Sequence, residues 1–426
     1  MNQTTAPVNS ARRILTASLI GTTIEFFDFY IYATAAVLVF PKLFFPTSDP
    51  TSSTLQSLAT FALAFLARPI GAALFGHFGD RKGRKATLVA ALMTMGPSTV
   101  AIGLLPGYQT IGIAAPILLA LFRFGQGLGL GGEWGGAVLL ATENAPANKK
   151  AWYGMFPQLG APIGFLISSG IFFLLSKVMS DQDFINYGWR IPFIASALLV
   201  WVGLYVRLKI TETPEFMKIV DNNERSKVPF VDVFAKHTKA ITLGTLATIT
   251  TFLLFYLMTV FTLSWGTTAL HYSKSSFLVA QMISVIFFGL GIPLSAILAD
   301  KYGQATVLIG ATIGILVFGL VFAPLFTTGS FGITALCLVI GMFLMGLTYG
   351  PVGTALAGIF PASVRYTGAS LAFTLAGILG ASLTPYLATT LATRYGLPSV
   401  GYYLSVASAI TLLALLGSRA LMRRNE

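Results

Sequence analysis

Long apolar runs, interrupted by short stretches rich in Pro, Gly or charge, recur from one end of the chain to the other. A helix rises about 1.5 Å per residue, so about 20 apolar residues cross a bilayer. The pattern predicts twelve spanning helices near 14–42, 54–78, 86–106, 111–142, 152–176, 188–208, 240–268, 275–299, 304–326, 331–359, 366–392 and 398–420. Most turns between them are brief, such as "LLPGYQT" and "TTGSFG". One connection is long and polar, "KITETPEFMKIVDNNERSKVPFVDVFAKHTK". It divides the chain into an N-terminal six-helix bundle (1–208), a central loop (209–239) and a C-terminal six-helix bundle (240–426). The expected class is an all-α membrane protein.

Composition agrees. Of 426 residues, 55% are hydrophobic and only 10% charged, against about 25% charged in a soluble domain. Such a chain needs the bilayer as its solvent. Its 43 glycines suit close packing of membrane helices. The single cysteine, Cys337, allows no internal disulfide, and His77, His237 and His271 lie far apart, so no metal or cofactor is expected. No P-loop, nucleophile elbow or ligand cluster suggests an enzyme.

The net charge of +12 changes meaning once it is placed. Arg12, Arg13, Arg81, Lys82, Arg84, Lys85, Lys149, Lys150, Lys301, Arg365, Arg419, Arg423, Arg424 and the basic residues of the central loop fall on one face. The other face keeps Lys42, Lys177, Arg190, Lys274 and Arg394. An even number of spans puts both termini together, and the positive-inside rule makes the basic face cytoplasmic. The charge is therefore a topology signal, not a nucleic-acid footprint. The first span is expected to stay as a membrane helix, being too long and too acidic for a cleaved signal.

The two halves echo one another. "GHFGDRKGRKATL" follows span two and "AILADKYGQATVL" follows span eight, aligning Asp80 with Asp300 and Gly83 with Gly303. "NAPANKKAWYG" after span four pairs with "IFPASVRYTG" after span ten, Pro146 with Pro361. Paired six-helix halves suit an alternating-access carrier with its site near the midplane.

The segment "GDRKGRK" at 79–85 resembles the loop signature of the major facilitator superfamily. The resemblance implies a gating latch built on Gly79, Asp80, Arg81, Gly83 and Arg84, with Asp300 and Arg365 in related positions. Asp80 is placed to meet a helix N-terminus or an arginine. The second copy has Gln304 where the first has Arg84, which predicts a weaker latch. "GTTIEFFDFYIYATAAVLVFPKLFFP" (21–46), "LARPIGAALFGHFGDRKGRK" (66–85), "RFGQGLGLGGEWGGAVLLATENAP" (123–146), "WRIPF" (189–193), "ITETPEF" (210–216) and "FPASVRYTGAS" (360–370) resemble the metabolite:proton symporter family. That family includes carriers of proline and betaine, oxoglutarate, shikimate and citrate. Phe26 and Phe27, and Phe373 and Thr374, depart from the residues common in relatives, so no relative's substrate transfers.

Five ionisable residues fall within the apolar runs: Glu25, Asp28, Arg68, Arg123 and Glu133. Charge in hydrocarbon is expensive and marks function or pairing. Glu25, Asp28 and Tyr32 share a helix face, as do Arg123, Gln126, Leu130 and Glu133. One reading makes Asp28, Glu25 and Glu133 proton-coupling acids, with Arg123, Gln126, Arg68, Tyr32 and Tyr256 holding substrate. A planar, permanently charged arginine suits a carboxylate. The alternative makes the same charges static ion pairs between helices, with Arg68 partnering one of the acids. Glu133 lies about 15 Å from Arg123 along the helix, which leaves an interdomain role open.

The expected function is proton-coupled uptake of an organic acid or zwitterion across a bacterial inner membrane. The partners expected are the substrate, protons and lipid, with the protein acting as a monomer. A proton-coupled exporter or drug antiporter is the competing reading, since "GAPIG" (160–164) partly resembles an antiporter signature. An osmosensing carrier would be expected to carry heptads after the last span, and "RALMRRNE" has none.

Overall fold

In the computed structural model, residues 10–46, 50–210, 212–213, 217 and 229–425 are described. Twelve helices are long and apolar enough to cross a membrane. They are α1 (Ala11–Ala36), α2 (Ala59–Lys82), α3 (Arg84–Leu104), α4 (Ala114–Glu143), α5 (Ala147–Val178), α6 (Asp181–Leu208), α7 (Thr238–Thr268), α8 (Ser275–Tyr302), α9 (Gln304–Phe326), α10 (Phe331–Ile359), α11 (Ala362–Tyr395) and α12 (Pro398–Leu421). The described chain is all-α, with no strand among the described residues. Of the central loop (209–239), residues 209–210, 212–213, 217 and 229–239 are described, with a helix at Pro229–Lys236. Thr211, Pro214, Glu215 and Phe216 of "ITETPEF", and the side chains of Arg423 and Arg424, lie outside the described residues.

Local chemistry sets the helix ends. The Ser10 hydroxyl accepts from Arg13 N at 3.3 Å, and Ser273 does the same for Ser276 N at 3.2 Å, satisfying amide donors that a first turn leaves free. Span six starts earlier than its apolar run suggests. Ser180 accepts from Asp183 N, and a π-helical turn at Phe184–Gly188 leads into the main helix. Between α2 and α3 the chain reverses at Gly83, and between α8 and α9 at Gly303, with φ of 115° and 89°. A side chain rarely adopts that backbone, which explains the glycine in both repeats.

Packing repeats between halves. In the first half α1 packs on α5, α2 on α4, α3 on α4 and α3 on α6. In the second, α7 packs on α11, α8 on α10, α9 on α10 and α9 on α12. The halves meet where α2 packs on α11 and where its counterpart α8 packs on α5. Two pseudo-symmetric six-helix bundles result.

Two spans in the second half are interrupted. α7 passes through a π turn at Leu257–Phe261, immediately after Tyr256, and α11 through another at Ile378–Ser382. The buried Gln281 amide donates to the carbonyls of Met258 (3.1 Å) and Thr259 (2.6 Å), partners for a turn with disturbed backbone bonding. Charge is divided unevenly. Among the described residues every buried charged side chain, from Glu25 to Arg207, belongs to the first half.

Candidate functional site

The site is built on a close pairing of α2 and α4. At Gly131 an added Cβ would stand 3.0 Å from the carbonyl carbon of Arg68, and at Gly127 2.8 Å from the Ala67 Cβ. Only glycine lets the backbones approach this far. The pairing fixes Arg68 and Arg123 side by side, and both guanidinium groups lie over the ring of Phe29, at 4.9 and 4.8 Å. Arg123 is further boxed by Tyr32 (3.9 Å) and Phe61 (5.0 Å).

Asp28 is fully buried and faces the interior of the first half. Ser196 Oγ donates to its Oδ1 at 2.6 Å and Thr99 Oγ1 to its Oδ2 at 2.9 Å. Gln126 Nε2 donates to Thr99 Oγ1 at 2.7 Å, and Arg123 Nη1 donates to Gln126 Oε1 at 3.0 Å. A continuous hydrogen-bonded line therefore runs from Asp28 through Thr99 and Gln126 to Arg123. No ion pair to Asp28 exists among the described residues. Among the described residues Arg123 Nε and Nη2 have no hydrogen-bond partner.

Glu133 takes a short hydrogen bond from Arg207 Nη2, while its second oxygen is unpartnered. Arg207 also donates to Leu88 O at 2.8 Å. This pair lies wholly inside the first half, and among the described residues Glu133 makes no hydrogen bond or ion pair to the second half, although it acts electrostatically on Tyr366 there.

A third group of residues lies between the halves. Glu25 and Arg68 come from α1 and α2, Tyr30 from α1, Tyr256 from α7 and Tyr349 from α10. All five are buried, at 1, 5, 7, 6 and 3% exposure. Among the described residues none of their side chains makes a hydrogen bond or an ion pair. Glu25 and Arg68 are near enough to act on each other electrostatically, and Glu25 acts on Tyr30 and Tyr349. Phe65 meets the Tyr256 ring at 5.7 Å, and Tyr30 meets Phe255 at 6.0 Å. Towards the basic end, Trp134 stacks on Phe373 at 3.5 Å, and its Nε1 donates to Gln158 Oε1 at 2.8 Å. Gln158 Nε2 then donates to Tyr349 O at 2.7 Å, joining the halves beneath the cluster.

At the basic end Asp80 crosses from α2 to α11. Its Oδ2 accepts from Thr367 N (3.0 Å) and Thr367 Oγ1 (2.8 Å), its Oδ1 from Tyr366 N (3.3 Å) and Arg84 Nη1 (2.9 Å). Arg84 also donates to Gly79 O and Glu143 Oε1, and Thr213 Oγ1 donates to Glu143 Oε2. Glu212, at the start of the central loop, accepts from Arg84 N and Lys85 N and caps α3. The second repeat is simpler. Among the described residues Asp300 accepts only from Ala151 N and Trp152 N, both at 2.9 Å, at the start of α5. Each carboxylate sits at a helix N-terminus, where amides and the helix dipole favour negative charge.

Several residues stand elsewhere than the sequence suggested. Arg68 pairs with neither acid and rests on Phe29 and Phe65 instead. Tyr32 gives its hydroxyl to Thr60 at 2.8 Å, so it walls Arg123. Gln126 is bonded at both ends. Arg81 is exposed and reaches only His77 on its own helix, outside the Asp80 cluster. Arg365 Nε donates to Phe360 O at 3.2 Å. Sequence reasoning missed Arg207, Thr99 and Ser196, and made no site assignment for Tyr30 or Tyr349. An arginine inside the last turns of an apolar run was the available signal for Arg207.

Comparison with known proteins agrees with this architecture. Residues 14–242 match the family model described as sugar (and other) transporter. The chain is 56% identical to the inner membrane metabolite transport protein YhjE of Escherichia coli (strain K12), over 96% of this chain and 94% of that one. It is 35% identical to the shikimate transporter of the same organism, over 97% and 95%. The solved structure of the major facilitator superfamily proton:xylose symporter XylE from E. coli, bound to 6-bromo-6-deoxy-D-glucose, superposes with a TM-score of 0.78. That match covers 97% of this chain and 96% of the other at 15% identity, a likeness of fold. The chain shares the fold of a major facilitator symporter, and it belongs to the sugar (and other) transporter family, a family of membrane transporters and not of enzymes.

Proposed function

We propose that the protein is a proton-coupled carrier that brings a small polar metabolite, an organic acid or a zwitterion, into the cell by alternating access. The observation that carries this reading is the setting of Asp28, a buried carboxyl held by two hydroxyls and, among the described residues, by no cation. A hydroxyl both donates and accepts, so Ser196 and Thr99 suit the ionised and the protonated acid alike. A proton can then arrive without an arginine having to leave. The line through Thr99 and Gln126 to Arg123 gives the loaded and unloaded states different electrostatic neighbours across the Phe29 ring.

In this reading residues 1–208 and 240–426 rock against each other, tethered by 209–239. The basic end faces the cytoplasm by the positive-inside rule, with both termini inside and the Asp80 and Asp300 contacts closing that side. The membrane is a bacterial inner membrane, by analogy with the similar inner membrane protein. One chain holds the whole cluster, so a monomer suffices. The shikimate transporter among the relatives supports a small polar solute. Packing accounts for the "GAPIG" segment: Gly160 lies against Thr22 and Thr23, and Gly164 against Phe27.

Proteoliposomes containing an internal pH dye test the reading. Pools of organic acids and zwitterions added outside are expected to acidify the lumen, and Asp28→Asn is expected to abolish the signal. Solute entry with no proton movement in either protein would refute it.

A further inference from the structure

We infer that the substrate is a compact zwitterion, its carboxylate taken by Arg68 and its cationic group by Glu25. This rests on the carrier reading above and narrows it. The observation is the separation of the buried polar groups into two kinds. Asp28, Thr99, Gln126 and Ser196 bond to one another, Arg123 joins them through one nitrogen, and Glu133 has Arg207. Among the described residues Glu25, Arg68 and the hydroxyls of Tyr30, Tyr256 and Tyr349 make no hydrogen bond or ion pair, and Glu25 Oε2 and Arg68 Nε are buried. A buried polar group without a partner is costly, and more so when charged. Five such groups, drawn from both halves and gathered at the seam, form a set that a ligand completes.

The signs of the charges choose the ligand. A neutral sugar would leave a guanidinium and a carboxylate desolvated and unpaired, the most expensive outcome for buried charge. A dicarboxylate would bring two negative charges to a cluster whose one cation, among the described residues, is Arg68, beside Glu25 and with Glu133 close by. Arg123 is not a second cation for it, being caged by Phe29, Tyr32 and Phe61 and tied to Gln126. A monocarboxylate would satisfy Arg68 and leave Glu25 without a counter-charge. A zwitterion answers both. The rings of Tyr30, Phe255 and Tyr256 add aromatic surface, which favours a cation.

The test uses three ligands of matched shape on the full-length purified carrier, with equilibrium binding read by calorimetry. Glycine betaine carries both charges, 3,3-dimethylbutyrate only the carboxylate, and choline only the cation. Proline and β-alanine extend the zwitterion arm to smaller head groups. A zwitterion from this set is expected to bind at least about tenfold more tightly than either singly charged analogue. Glu25→Gln should erase that advantage while carboxylate binding survives, and Arg68→Gln should weaken both carboxylates. Preference for 3,3-dimethylbutyrate, unchanged zwitterion binding in Glu25→Gln, or binding of none of the zwitterions would overturn the inference. The proton assay separates the two readings. Zwitterion binding without proton movement would sink the coupling and leave the substrate class, whereas proton influx driven only by monocarboxylates would do the reverse.

Discussion

Arg68 and Arg123 share one aromatic ring, that of Phe29, with guanidinium carbons 4.9 and 4.8 Å from its centroid. Like charges held this near repel, and the electron-rich ring between them offsets the repulsion. Arg68 belongs to the unpartnered cluster at the seam, and Arg123 ends the line of hydrogen bonds from Asp28. Among the described residues Phe29 is the one ring over which both guanidinium groups lie.

Removing that ring should therefore disturb binding and coupling together. Each cation–π contact contributes about 0.5–2 kcal/mol, so Phe29→Ala is expected to weaken substrate binding about two- to thirtyfold. It should also lower the protons moved per substrate, which Phe29→Tyr should restore. Paired flux and pH-dye measurements on the two variants check this. A change in affinity with an unaltered ratio would make Phe29 a packing residue only.

The hydroxyls around Asp28 should matter by degree. Asp28→Asn is expected to abolish proton movement while exchange of solute across the membrane continues. Hydrogen bonds to a charged group contribute about 1.5–3 kcal/mol, so Ser196→Ala and Thr99→Val should each reduce proton-driven uptake about tenfold or more and leave exchange closer to wild type. Uptake and exchange measured over a range of pH, with the same preparations, distinguish the two steps. Equal loss of both would point to folding.

The two repeats predict latches of unequal strength. Asp80 receives bonds from Tyr366, Thr367 and Arg84, whereas Asp300 receives only two amides. Asp80→Asn should open the basic end more than Asp300→Asn does. The chain has one cysteine, the buried Cys337, which simplifies the assay. In a Cys337→Ser background, Thr354→Cys, buried between α5 and α10, should react faster with an impermeant maleimide when Asp80 is changed. Equal rates in both variants would assign the asymmetry no role.

The Glu133–Arg207 pair should behave as a structural unit. Removing one partner of a buried ion pair costs about 3–5 kcal/mol, while replacing both with apolar groups can be nearly neutral. Glu133→Leu is expected to lower the melting temperature sharply, and Glu133→Leu with Arg207→Met to recover most of it. If the single variant stays stable but loses proton coupling, Glu133 is part of the proton path.

Much of the architecture was legible because a bilayer imposes long, simple signals. Twelve apolar runs and the Asp80–Asp300 repeat can be read directly, since each depends on composition over many residues. The site was only partly legible. Helical spacing correctly puts Glu25, Asp28 and Tyr32 on one stripe, but the stripe is wide enough to reach three different neighbours. Asp28 meets Ser196 and Thr99, Tyr32 meets Thr60, and Glu25 faces the seam. Which arginine serves which acid depends on helix rotation, so Arg68 was matched to an acid and Arg207 overlooked. Ser196 and Thr99 carry no signal, since hydroxyls are common in membrane helices and most bond only to their own backbone. Span six began early for a local reason, the Ser180 cap and the π turn after it.

All the buried charges described here sit in one half, and the other half brings tyrosine hydroxyls, rings and two interrupted helices. Charge thus comes to the seam from one piece, through Glu25 and Arg68, and the facing aromatic wall from the other. Substitutions around Tyr256 and Tyr349 can reshape what is grasped without touching Asp28 or its relay. On the proposed reading, drift in the second half alone can therefore change the shape of the cargo while its charge stays set by Glu25 and Arg68. Hybrids joining this first half to the second half of a relative should keep the charge class of one parent and take the size preference of the other.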